Sequence, residues 1–174
     1  MDADIAEAAK RVGQALEGAG VDYEALWLSS RWLRIELAAV AVSEAEARGL
    51  CEGDLLLVEP SVLRTDLEER GSALLVLSTG SRFEVELALE KNEWLAHIKQ
   101  VLPFESARDF VSVNLVHRLL DSREFPDIRP GATLALNTVP TDQLIIWWRE
   151  ELLGTGAFIE IDEQIGVRVI ALAI

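Results

Sequence analysis

The chain has 174 residues, half of them hydrophobic and 26% charged, a balance that suits one or two folded domains and excludes a disordered segment. Sixteen basic residues against 30 acidic ones give a formal charge of −14, so nucleic acid and direct membrane-surface binding are disfavoured, whereas a basic or amphipathic protein partner is not. No apolar run approaches the roughly 18 residues of a spanning helix, the start Met1-Asp2-Ala3-Asp4-Ile5 lacks the pattern of a secretory signal, and the lone Cys51 cannot form an internal disulfide, which together lead us to expect a reducing, cytoplasmic setting.

Residues 1–27 read as an amphipathic helix and linker. Ile5, Ala8, Val12, Ala15 and Leu16 fall at helical spacing among charged residues, and Gly18 and Gly20 break the pattern. The alternation Leu33-Arg34-Ile35-Glu36-Leu37 then predicts a half-buried strand, followed by a helix-compatible stretch from Ser43 to Arg48. Gly53 supplies a tight turn into the strand-like Asp54-Leu55-Leu56-Leu57-Val58, which ends at Pro60. After a polar loop come Leu74-Leu75-Val76-Leu77, a turn around Gly80-Ser81, Phe83 to Leu89, and a last strand around Trp94 to Val101.

The same order then repeats. Val111-Ser112-Val113-Asn114-Leu115 alternates as the first strand does, Asp121 to Asp127 is again helix-compatible, and Gly131 opens Ala132-Thr133-Leu134-Ala135-Leu136, which ends at Pro140. Gly131 follows Val111 by 20 residues, as Gly53 follows Leu33, so both landmarks recur at an offset of 78. Leu144 to Trp148, a turn through Leu152-Leu153-Gly154-Thr155-Gly156, Ala157 to Ile161 and a last strand from Ile165 to Leu172 complete the second copy. There the offset shrinks to about 70, because the first copy has the longer loop after its proline.

This spacing predicts a mainly β protein with short helices, divided into residues 28–102, a linker at 103–110, and residues 111–174. A copy of this size has little core of its own. Its runs Leu55-Leu56-Leu57-Val58 and Leu144-Ile145-Ile146-Trp147-Trp148 do not alternate, which predicts strands covered on both faces. The copies are therefore expected to pack as an intimate pseudo-symmetric pair, with exchange of strands as one way to provide that cover.

In its pattern of strand, short helix, glycine turn and strand, this chain resembles the surface-presentation-of-antigens (SpoA) domain. Ile128-Arg129-Pro130-Gly131-Ala132-Thr133-Leu134, Gly154-Thr155-Gly156-Ala157-Phe158-Ile159-Glu160-Ile161-Asp162 and Ile165-Gly166-Val167-Arg168-Val169 carry the resemblance in the second copy, and Leu50 to Leu57 in the first. Two such domains in tandem resemble the C-terminal part of the SctQ-type cytoplasmic-ring proteins of type III secretion systems, relatives of flagellar motor switch proteins. The resemblance implies an intertwined β fold with no catalysis and no cofactor, in a sorting platform at the cytoplasmic face of the inner membrane. It also implies as partners the N-terminal segment of the stator protein that links this platform to the export ATPase, and neighbouring ring subunits, with self-association open. A flagellar motor switch component is the alternative within the same class. A small β-barrel hydrolase, which would need a cleft of converging titratable groups, is the rival from another class.

The residues offer little chemistry. His97 and His117 lie in different copies and outside any metal spacing, so surface or interface positions are expected for both, and Cys51 has no base nearby in sequence. Gly154-Thr155-Gly156 is too short for a dinucleotide fingerprint. Trp147 and Trp148 must point to opposite faces of a regular strand, one into the core and the other toward the sister copy or a partner. Trp27 and Trp32 are further candidate docking residues. Gly53, Gly131 and Gly156 are expected at turns. Arg168, between Val167 and Val169, is either an exposed strand arginine or half of an ion pair at the seam.

Overall fold

Ten strands and one short helix carry the described residues of the computed structural model, which are 32–103, 110–120, 124–137, 143–149 and 151–173. The strands are β1 (Trp32–Ala41), β2 (Leu55–Leu57), β3 (Arg70–Leu77), β4 (Arg82–Glu90), β5 (Glu93–Leu102), β6 (Phe110–Leu119), β7 (Thr133–Ala135), β8 (Leu144–Trp148), β9 (Glu151–Ile161) and β10 (Gln164–Leu172). The helix α1 (Glu44–Arg48) starts on a capping box: Ser43 Oγ accepts from the Glu46 N–H, and Glu46 returns a carboxylate to the Ser43 N–H. In the second copy the described part of the helix-compatible stretch holds a 3-10 turn at Phe125–Asp127; residues 121–123 lie outside the described residues. The amphipathic helix expected in residues 1–27 is also outside them.

All ten strands belong to one antiparallel sheet, in the order β2-β10-β9-β8-β6-β1-β3-β4-β5-β7. Pairing each of the first five strands with its counterpart five later, and exchanging the two sets, reverses this order and otherwise leaves it unchanged. The sheet thus has a pseudo-twofold axis between β1 and β6. Two strands have crossed over: β2 of the first copy pairs with β10 of the second, and β7 of the second pairs with β5 of the first.

The correspondence holds residue by residue except at the start of β9, where a register shift between Ile146 and Trp147 has no counterpart between β3 and β4. Arg34 lies opposite His117 and its counterpart Ser112 opposite Ala39, both at the offset of 78, and Glu36 opposite Asn114 is the pair that maps onto itself. That pair marks the axis, and the register shifts that flank it in β1 and β6 are symmetric about it. Leu55, Leu56 and Leu57 map onto Thr133, Leu134 and Ala135 in matching registers. From β3 and β8 onward the offset is 71, since Leu74 pairs with Glu36 as Ile145 pairs with Asn114. Even the hairpin turns agree. Lys91-Asn92 (φ 51 and 64°) and Asp162-Glu163 (φ 50 and 67°) both place two residues in the left-handed region, the geometry of a two-residue turn that suits twisted strands.

One continuous core fills the inner face, built from alternate residues such as Leu33, Ile35, Val111 and Val113 and closed by Leu56 and Leu134 of the exchanged strands. Neither copy could cover this face alone. A second, smaller cluster of Ile145, Leu152, Trp32, Trp147 and Ala173 lies on the outer face.

Two expectations fail. Leu152 to Gly156 do not turn: they run inside β9, and the turn comes earlier, around Arg149 (φ 53°). Glycine is required at Gly154 for close packing, because a Cβ there would strike the Ala171 carbonyl oxygen. The run Leu55-Leu56-Leu57 is not covered on both faces either. As the outermost strand, β2 buries Leu56 at 5% exposure and leaves Leu57 59% exposed. β8 behaves as expected, with Leu144, Ile145, Ile146 and Trp148 all buried. Among the described residues no helix is long and apolar enough to cross a membrane.

Candidate functional site

The most unusual chemistry lies where the two halves meet, on the outer face at the pseudo-twofold axis. Polar residues alternate with core residues along β1 and β6, so Arg34, Glu36, Ser112 and Asn114 converge on that face. Arg34 Nη1 donates to Ser112 Oγ at 2.8 Å, to Glu36 Oε2 at 3.2 Å and to Asn114 Oδ1 at 3.2 Å. Asn114 Nδ2 donates onward to the Ile145 carbonyl at 3.1 Å. Burial lowers the Arg34 pKa, an effect opposed by Glu36; a guanidinium remains charged even so. This network joins the copies through one shared cation.

Beside it sits His117, wholly buried and wedged edge-on between two indoles. Its ring centroid is 4.8 Å from that of Trp32 and 4.3 Å from that of Trp147, and the indoles are 5.9 Å apart. Neither imidazole nitrogen has a hydrogen-bond partner. Desolvation, with a smaller push from Arg34, lowers its pKa to about 3, so the ring is neutral at physiological pH. Trp32 and Trp147, two of the expected docking residues, are thus brought together by a histidine that periodicity alone did not single out. Trp148 points the other way into the main core, with Arg149 4.3 Å and Arg48 5.4 Å above its ring. Trp27 lies outside the described residues.

His97 also bridges the halves, across the exchanged strand, where its Nδ1 lies 2.8 Å from Thr133 Oγ1. Gly53 and Gly131 have φ of 92 and 89°, and each donates its N–H at 2.8 Å to an equivalent carbonyl, Val169 and Ile98 respectively. Here positive φ alone demands glycine, since a Cβ would meet nothing within 4 Å. Gly156 instead lies within β9, where a Cβ would come within 2.8 Å of the Arg168 carbonyl. Arg168 is exposed, opposite Leu55, and makes no ion pair with a described residue. Ion pairs between the halves come from Arg64 with Glu160 at 3.3 Å and from Arg48 with Glu151 at 4.0 Å.

A cavity of about 180 Å³ opens between α1 and the second half, lined by Arg48, Leu50, Trp148, Glu151, Leu153 and Leu172 among others. Cys51 is exposed, and its thiol contacts the Gly49 carbonyl at 3.4 Å. Among the described residues no three of histidine, cysteine, aspartate and glutamate gather as metal ligands would. The chain matches no protein-family model and no curated protein.

Proposed function

We propose that this protein is a non-enzymatic scaffold subunit of a type III secretion sorting platform, built from tandem SpoA-like domains. In this role it binds the N-terminal segment of the stator protein that connects the platform to the export ATPase, and neighbouring ring subunits, at the cytoplasmic face of the inner membrane. The observation that carries the reading is the strand order: a duplicated unit whose halves exchange β2 and β7 around a central axis is the intertwined architecture that the resemblance implies. Its polar residues at the axis are spent on joining halves, with Arg34 Nη1 donating to both Ser112 and Asn114. That use suits an assembly module better than a catalyst, whose titratable groups would face a cleft.

Co-purification of the intact chain with the stator N-terminal segment encoded in the same genome tests this. A stable complex is expected. Failure to bind that segment, together with binding to flagellar rotor subunits, would move the protein to the motor switch; failure to bind either would end the reading.

A further inference from the structure

Pseudo-symmetry gives the outer surface an internal control. From Gly154 onward, each position on β9, and each on β2 and β10, has a counterpart on β4, β7 and β5 with the same strand neighbours, so the fold does not impose a difference between their side chains. Most of the differences nevertheless run in one direction, with Gly166 against Leu95 and Arg168 against His97 as the exceptions. Leu55 and Leu57 stand where the other half has Thr133 and Ala135, and Ala157 and Ile161 stand where it has Glu86 and Glu90. Ile170, at the register shift in β10, replaces Lys99 at the matching shift in β5.

Four of these apolar residues are open to solvent: Leu55, Ile161 and Ile170 are 40 to 41% exposed, and Leu57 more so, whereas Ala157 is half-buried. Gly166, itself buried, lies between Leu57 and Ile159, and a Cβ there would lie 3.7 and 3.8 Å from those side chains and 3.2 Å from the Leu56 carbonyl oxygen. Such a patch, absent from the equivalent surface of the same molecule, is the signature of an interaction site.

Its border selects the occupant. Glu52 and Asp54 precede β2, Glu59 follows it, and Asp162 and Glu163 form the β9–β10 turn; all five are exposed. Arg168 is the single cation on the three strands. The chain's own residues 1–27 carry six acidic against two basic residues, and a second copy brings a charge of −14, so both are repelled. We propose that the outer face of β2, β10 and β9 is the docking site for an amphipathic, net-basic segment of a partner protein, its apolar side on Leu57 and Ile161 and its cations on the acidic border. The proposal rests on this asymmetry and stands independently of the sorting-platform reading.

The test titrates a synthetic amphipathic Leu/Lys helical peptide into the intact chain at physiological ionic strength, alongside its Leu/Glu counterpart and a scrambled Leu/Lys sequence. Amide shifts confined to β2, β9 and β10 are expected with the first peptide alone. The double substitution Leu57→Ser/Ile161→Ser, at exposed positions that leave the core intact, should weaken binding at least about tenfold, whereas Ala135→Ser on the counterpart face should not. Equal binding of all three peptides, shifts on the first half, or indifference to the double substitution would overturn the proposal. So would a dimer of the free chain that the double substitution dissociates, or shifts on β9 and β10 of the free chain caused by Val12→Glu, since each would name a different occupant.

Discussion

Replacing His117 with phenylalanine should flatten the dependence of stability on pH across the acidic range, by an amount that follows from where the ring sits. His117 is fully buried with both nitrogens unpartnered, and its pKa is lowered to about 3. The unfolded chain has an ordinary histidine, protonating near pH 6.5. Because the folded pKa is the lower one, the stabilisation is complete above about pH 6.5 and is lost as pH falls from there toward 3. Each pH unit in that window costs about 1.36 kcal/mol, so at pH 5 the unfolded chain gains about 2 kcal/mol relative to neutral pH from this site alone.

Urea unfolding of the wild type and of His117→Phe, at neutral pH and at about pH 5, isolates the term. Every ionisable group other than residue 117 is common to both proteins, so its contribution cancels in the double difference. Phenylalanine keeps an aromatic ring between Trp32 and Trp147 and removes two unsatisfied polar atoms, so at neutral pH the variant should be at least as stable as the wild type. If the wild type and the variant lose the same stability on acidification, to within about 0.5 kcal/mol, His117 is not held neutral and the account of the axis is wrong.

Three further outcomes follow from the topology. A fragment of residues 1–102 retains β2 but lacks β10, its pairing partner, so it should self-associate or aggregate; a well-behaved monomer in sedimentation would refute the exchange. Gly154→Ala drives a Cβ into the Ala171 carbonyl and should cost about 3 kcal/mol or more in urea unfolding, whereas Gly53→Ala meets no atom, strains only φ, and should cost about 1–2 kcal/mol; the reverse ranking would contradict the packing of β9 on β10. Ser112→Arg would restore the residue found at the equivalent position of the first copy and set a second guanidinium against Arg34, at a cost of about 3 kcal/mol or more. Adding Asn114→Glu should recover part of that loss, and a single substitution tolerated within about 0.5 kcal/mol would show that the axis is not desolvated.

The duplication was legible because its landmarks are of a kind that sequence displays directly. Alternation marks β1 and β6, and Gly53 and Gly131 are needed for their φ whatever surrounds them. The axis cluster was hidden for the opposite reason. Arg34, Glu36, Ser112 and Asn114 occupy the polar positions of alternating strands, and nothing local distinguishes a face turned to water from one turned to a sister strand. Gly154-Thr155-Gly156 reads as a turn because glycines usually mark turns; here they admit the close approach of β10, a tertiary requirement. Leu55 to Leu57 fail in another way: a short apolar run fits a buried strand equally well as an edge strand with one face exposed.

A pair of identical copies could not have built this axis. Twofold symmetry would bring each Arg34 against its own image where Ser112 now accepts its hydrogen bond, and each Glu36 against its image where Asn114 now stands. Two cations and two anions would share a largely buried site, and desolvation of that many charges offsets their attraction. Joining the copies in one chain allowed the two sides of the axis to differ: one guanidinium, one carboxylate, and neutral hydrogen-bonding neighbours. The same freedom explains the outer surface. Once the halves need not be identical, one can carry charges on β4 and β5 that keep it solvated, while the other presents leucine and isoleucine on β2 and β9. A symmetric dimer would expose two such apolar faces; the fused pair exposes one.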